Sequence, residues 1–187
     1  MFTLFKAHPV RVAAELAYGR VVEQARRPGF FIDGGVPDTV DGRFELICLH
    51  AFLYLHRLKR EQKQGAALGQ RFFDKMFADF DRSLREMGTG DLSVGREVKR
   101  MAEAFYGRVA AYEEGLMGDD SVLQPALARN LFGTATPNPA LLEAMAFYVR
   151  REAARLNEAG AEALLAGQLS FGDPPGAVAV PEPERGQ

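Results

Sequence analysis

The stretch from Phe72 to Tyr112, FFDKMFADFDRSLREMGTGDLSVGREVKRMAEAFYGRVAAY, constrains the fold more than any other part of the chain. Its apolar residues repeat at helical spacing, break once at a glycine pair, and then repeat again. In the first half Phe73, Phe77, Phe80, Leu84 and Met87 follow the i, i+4, i+7 pattern of one helix face, and Phe72 and Met76 widen it. Asp74, Asp81 and Arg85 share a neighbouring face, because seven residues nearly complete two turns. Asp81 and Arg85, acid first at i, i+4, add roughly 0.2–0.5 kcal/mol to the helix. Gly88 and Gly90 end it, since glycine takes the left-handed C-cap geometry without steric cost. Asp91 or Ser93 offers an N-cap oxygen to a second helix, whose buried stripe is Val98, Met101, Phe105, Val109, Tyr112 and Leu116. So short a connection predicts antiparallel packing.

The rest of the chain extends this pattern. Pro9 suits the first turn of a helix that runs to about Arg26, with Val12, Leu16 and Val22 as its apolar positions. Phe30 to Thr39 reads as a loop, with Phe30-Phe31-Ile32 a short extended piece. A helix from about Phe44 to Gln62 is apolar nearly all round at its centre, which predicts a central position, and its polar end HRLKREQKQ should reach solvent. A shorter helix follows near Val122–Leu131. Asn138 caps a last long helix carrying Leu142, Met145, Val149 and Leu156, and a further turn covers Ala161–Leu165. No alternation long enough for a sheet is present. The expectation is an all-α single-domain bundle of about six helices over residues 1–171, followed by a Pro/Glu-rich flexible tail over 172–187.

Composition narrows the function. At 187 residues one domain can bury roughly 70% of its unfolded surface, and 47% apolar residues with 14 Phe supply the core. A net charge of −2 argues against a partner that needs a strongly basic surface, so no nucleic acid is expected. The single cysteine, Cys48, excludes an internal disulfide and a cysteine zinc site, and its apolar neighbours make it a core thiol. The most apolar stretch, Leu46–Leu55, is about half of the roughly 20 residues a bilayer span needs. Phe2, Leu4 and Phe5 offer a weak membrane contact at the N-terminus.

Reactive constellations are missing. A metal site in a helical bundle wants Glu-x-x-His pairs, and the chain has none. Its histidines are His8, His50 and His56. The last two lie about 240° apart around a helix and cannot share a ligand on one face. His50, among Leu49, Ala51 and Leu53, reads first as a core histidine bonded to a neighbour and second as a cofactor ligand, for haem. Asp74, Asp79 and Asp81 read as a solvated face paired with Arg82 and Arg85 rather than as acid–base groups. Arg96, Lys99, Arg100 and Arg108 form a basic group offset by Glu97 and Glu103. Tyr106 lies about 100° from the Phe105 stripe, so it is the aromatic residue expected to face a groove or partner. No catalytic residue, metal or cofactor is assigned, and the chain reads as a binding module rather than an enzyme.

GVPDTVDGRFELICLHAFLYLHRL and FDKMFADFDRSLREMGTGDLSVGREVKRMAEAFYGRVAAYEEGL resemble the ubiquinol–cytochrome c chaperone family over roughly residues 9–168. The likeness is sharpest in LREMGTGDLSV and KRMAEAFYGRVAAY. It implies an all-helical assembly factor for the cytochrome bc complex (complex III) that binds newly made cytochrome b and holds it for haem acquisition. It also implies a small partner subunit, known for mitochondrial members. The start of the chain, directly before the shared region, suggests a bacterial-type member in the cytoplasm, in peripheral contact with the inner membrane. The residues proposed for partner binding are Arg85, Asp91, Lys99 and Arg108 as a polar rim, with Tyr106 and Tyr112 as apolar contacts. The alternative reading is a small-molecule or haem-binding protein using His50 or His56.

Overall fold

The structure is a computed structural model that describes residues 9–133 and 135–176. Eight α-helices appear among them, and no strand: α1 Pro9–Ala25, α2 Gly29–Ile32, α3 Val40–Leu58, α4 Gln62–Glu86, α5 Asp91–Met117, α6 Asp120–Leu131, α7 Pro139–Glu158 and α8 Ala161–Leu165. Six are long and two are single turns, in line with the expected bundle. The expected membrane contact at Phe2, Leu4 and Phe5, and His8, lie outside the described residues, as does the tail beyond Gly176.

α3 is the axis. Its consecutive residues Cys48 to Tyr54 are all buried, so every side of the helix meets another element. Thr39 caps it by accepting from the Gly42 amide at 3.1 Å, which starts the helix before the expected Phe44. α1 and α4 cover one flank, α5 another, and α6 and α7 close the bundle. Each fully buried Leu or Phe contributes roughly 1.5–3 kcal/mol of apolar transfer.

Three local expectations change. α1 buries Ala13, Ala14, Ala17 and Val21, whereas Val12 is 39% and Leu16 53% exposed. Small alanine side chains let α1 lie close to its neighbours, and Tyr18 ties it down by donating to Asp79 of α4 at 2.9 Å. The Phe30-Phe31-Ile32 piece is helical, not extended, and Phe30 is 0% exposed. The long polar helix end predicted after α3 breaks into a 3-10 turn at Lys59–Glu61, with Gln62 at φ 48°, before α4 begins. Gly65 permits this crossing: a Cβ there would lie 2.0 Å from the Leu58 carbonyl oxygen. Arg57 is drawn inward at the break, donating to the Leu156 carbonyl at 3.0 Å.

The α4–α5 hairpin forms as read. Gly88 sits at φ 88°, the left-handed cap. Phe72, Met76, Phe77 and Phe80 are buried, but Met87, beyond the last turn, is 56% exposed. Gly90 rather than Asp91 or Ser93 is the N-cap of α5, and no side chain caps it. Asn138 caps α7 as expected, accepting from the Ala140 amide at 2.9 Å. Residues 172–175 do not belong to a loose tail: Pro175 is buried and Gly172 is hydrogen-bonded to α1 and α7.

Candidate functional site: the α3–α4–α5 groove

A groove opens where the end of α3 meets the first half of α4 and the second half of α5. Its cavity is ≈ 210 Å³, with Phe52, Leu55, Phe105 and Val109 among its walls. Phe73 of α4 and Tyr106 of α5 form its lip, their rings stacked at 5.6 Å and 27°. Tyr106 is 60% exposed, a large aromatic area left in water. The antiparallel register of the hairpin creates this pair, placing position 73 opposite 106.

The polar edge neutralises itself. Glu113 accepts from Lys59 Nζ and meets His56 Nδ1 at 3.2 Å. The Lys59 hydrogen bond is the main reason the Glu113 carboxyl sits below its ordinary range; partial burial opposes it and His56 assists. Half-exposed pairs of this kind contribute about 0–1 kcal/mol.

Only part of the sequence-predicted set gathers here. Tyr106 stands at the lip as expected. Lys99 reaches Glu103 at 3.9 Å, two turns before Tyr106 on the same face. Arg85 and Asp91 pair with each other at the hairpin tip, and Arg85 Nε also donates to Asp81 at 2.6 Å. Fifteen residues of helix put that tip about 22 Å from Tyr106. Arg108 is not on the rim. It turns toward α3, pairs with Glu45, and lies over the Phe44 ring at 5.5 Å. Burial pushes the Glu45 carboxyl above its ordinary range, outweighing Arg108, while the hydrogen bond to Glu45 raises Arg108 further. Tyr112 is core, 0% exposed, with its ring 5.5 Å from Phe52. Its hydroxyl has no hydrogen-bond partner among the described residues. Phe73 and Lys59 were not singled out by the sequence. Phe73 sits in a stripe that is core elsewhere, and only the α5 register shows that it edges a groove.

His50 does not fit cofactor ligation. It is 0% exposed and both ring nitrogens are engaged. Nδ1 meets the Leu46 carbonyl oxygen at 2.7 Å, an atom that only accepts, so Nδ1 carries the proton. Nε2, 2.7 Å from Tyr148 Oη, therefore accepts from that hydroxyl. Burial lowers its pKa to about 4, which keeps it neutral. Cys48 is likewise buried, and burial pushes its thiol well up. No cluster of three or more metal-ligating side chains occurs among the described residues.

Residues 33–171 match the model of the family described as ubiquinol-cytochrome C chaperone. The chain belongs to that family. Among relatives of this chaperone, the Xenopus laevis protein named ubiquinol-cytochrome-c reductase complex assembly factor 1 is 30% identical over 83% of this chain and 78% of its own length. The Homo sapiens protein of the same name is 29% identical over 87% of this chain, which spans 54% of it. A crystal structure of the Cbp3 homolog from Brucella abortus superposes with a TM-score of 0.79 at 38% identity, covering 88% of this chain and 91% of that one. Among the described residues, no helix is long and apolar enough to cross a membrane.

Proposed function

We propose that this chaperone is an assembly factor for the ubiquinol–cytochrome c reductase complex and that its client is newly made cytochrome b. Family membership supports the assembly role, and the exposed Tyr106, stacked on the partly buried Phe73 over an apolar groove, supports the client class. An unassembled membrane protein presents apolar helices joined by charged loops. A helical groove holds such a segment by seating an apolar anchor between its walls. A cavity of ≈ 210 Å³ has room for one large side chain, not for a whole helix. Burying one such anchor stabilises a complex by roughly 2–3 kcal/mol, which suits a holder that must release its client. In this reading Tyr106 makes the apolar contact, while Lys99, Arg85 and Asp91 steer the charged flanks. The chaperone works at the cytoplasmic face of the inner membrane, with a small partner subunit completing the assembly.

The test is a crosslinked pull-down of the tagged protein from detergent-solubilised native membranes. Cytochrome b should be enriched without the mature complex. Tyr106→Ala should reduce that capture about tenfold, the loss expected of an aromatic interface anchor, while circular dichroism and Tm stay near wild type. Deleting the gene should lower the assembled bc complex and spare the other oxidases. Normal complex levels in the deletion strain would overturn the assembly role.

A further inference from the structure

The segment Phe171–Pro175 crosses α1 and α7 without forming a helix of its own. It is held largely through its backbone. Gln24 of α1, 6% exposed, donates Nε2 to the Gly172 carbonyl at 2.8 Å. Glu152 of α7, 0% exposed, accepts the Gly172 N–H at 2.8 Å. Two buried side chains thus satisfy both the donor and the acceptor of one residue. Arg151 donates to the Asp173 carbonyl, and Arg27 Nη2 to the Asp173 carboxylate at 2.7 Å. A Cβ on Gly172 would lie 2.8 Å from Glu152 Oε1 and 3.0 Å from Arg155 Nη2, so any larger residue there must push aside the ends of both side chains, and Glu152 is itself buried and bonded. Phe171 sets its ring edge-on to His50 at 5.0 Å, and Pro174 lies against Gly29 of α2.

These supports are built into the bundle. Gln24 Nε2 also donates to Tyr148 Oη at 2.9 Å, and Tyr148 in turn donates to His50. Glu152 is bracketed by Arg151 at 2.6 Å and Arg155 at 3.2 Å. A fully buried carboxylate is costly unless its oxygens are bonded, and one of those bonds comes from a segment at the end of the described chain. Main-chain hydrogen bonds with a pocket for one neighbouring side chain are how proteins hold bound peptides. The groove of the proposed client site shares none of these residues.

We propose that this α1–α7 surface is a peptide-binding site that reads an aromatic–glycine pair followed by an acidic residue, and that Phe171–Pro175 occupies it in cis as a releasable strap. The glycine preference comes from Glu152 and Arg155, the aromatic preference from the His50 edge, and the acidic preference from Arg27. The strap follows the last helix, so its release breaks no connection between helices.

The experiment uses the full chain and a fluorescein-labelled synthetic peptide, LSFGDPPG, copied from residues 169–176. Two variants unseat the strap: Gly172→Val crowds Glu152, and Phe171→Ser removes the ring. A folded variant should bind the probe at least tenfold tighter than wild type, where the site is already filled. Adding Gln24→Leu, or replacing the probe's glycine by valine, should abolish the gain. Hydrogen exchange should show the strap amides opening faster than those of α7 in wild type. If both variants fail to fold, or fold with native helicity and bind no better than wild type, the segment is ordinary core and the proposal falls.

Discussion

His50 and His56 stand six residues apart on the same helix, yet they do opposite things. His50 is sealed, 0% exposed, its nitrogens taken by Leu46 and Tyr148. His56 keeps 32% of its side chain in solvent and joins Glu113 at the edge of the groove. Six residues turn the helix by about 240°, so one ring meets α7 and the strap while the other meets α5. Tyr106 and Tyr112 repeat the lesson on α5: 60% exposed against 0%. Residue type does not set the role; the element packed opposite does.

The contrast can be broken most sharply by truncation. His50→Ala should destabilise the fold by about 3–4 kcal/mol, since it leaves a cavity and an unpaired buried Tyr148 hydroxyl. His56→Ala should cost less than about 1 kcal/mol, because solvent replaces what it loses. Denaturant midpoints at unchanged slope measure both. Equal losses would erase the distinction between a sealed and an open face.

Acid sharpens it. The pKa of His50 falls from 6.5 to about 4 on folding, because burial disfavours the charged ring. The unfolded chain therefore takes up the proton first as pH drops. His50's contribution is fully present above pH 6.5, shrinks as pH falls toward about 4, and levels off below. At 1.36 kcal/mol per unit, about 3 kcal/mol is lost across that window. Tyr148, which donates to the ring, and Phe171 face it from α7 and the strap, and neither titrates in that window. His50→Gln should flatten this part of the stability–pH curve.

The smallest effect concerns the buried tyrosine. Tyr112→Phe removes a hydroxyl with no partner among the described residues, so stability should stay level or rise by up to about 1 kcal/mol. A loss larger than that in calorimetry would mean that the hydroxyl is bonded.

Much of this molecule was legible along the chain. The Phe72–Phe80 stripe, the Gly88 cap, the Asn138 cap and the single turn at Ala161–Leu165 depend on residues within a turn or two of each other. Tyr106 was legible for the same reason, being off its own helix's apolar stripe. α1 misled because hydropathy ranks Val12 and Leu16 above Ala13, Ala14 and Ala17, while close helix packing prefers the small side chains. Arg108 misled because a charge on a helix reads as solvated until the opposing helix is seen to supply Glu45.

By itself the sequence determined an all-helical chain, an antiparallel hairpin, most helix ends and the family. These follow from local periodicity, capping chemistry and motif strings. Only the tertiary structure decided which histidine is sealed, that Arg108 points inward, that Phe73 edges a groove, and that Gly172 is gripped by Gln24 and Glu152. Each of these joins residues far apart in the chain, from 33 between Phe73 and Tyr106 to 148 between Gln24 and Gly172. Periodicity gives a helix an apolar face but does not name the partner that will cover it.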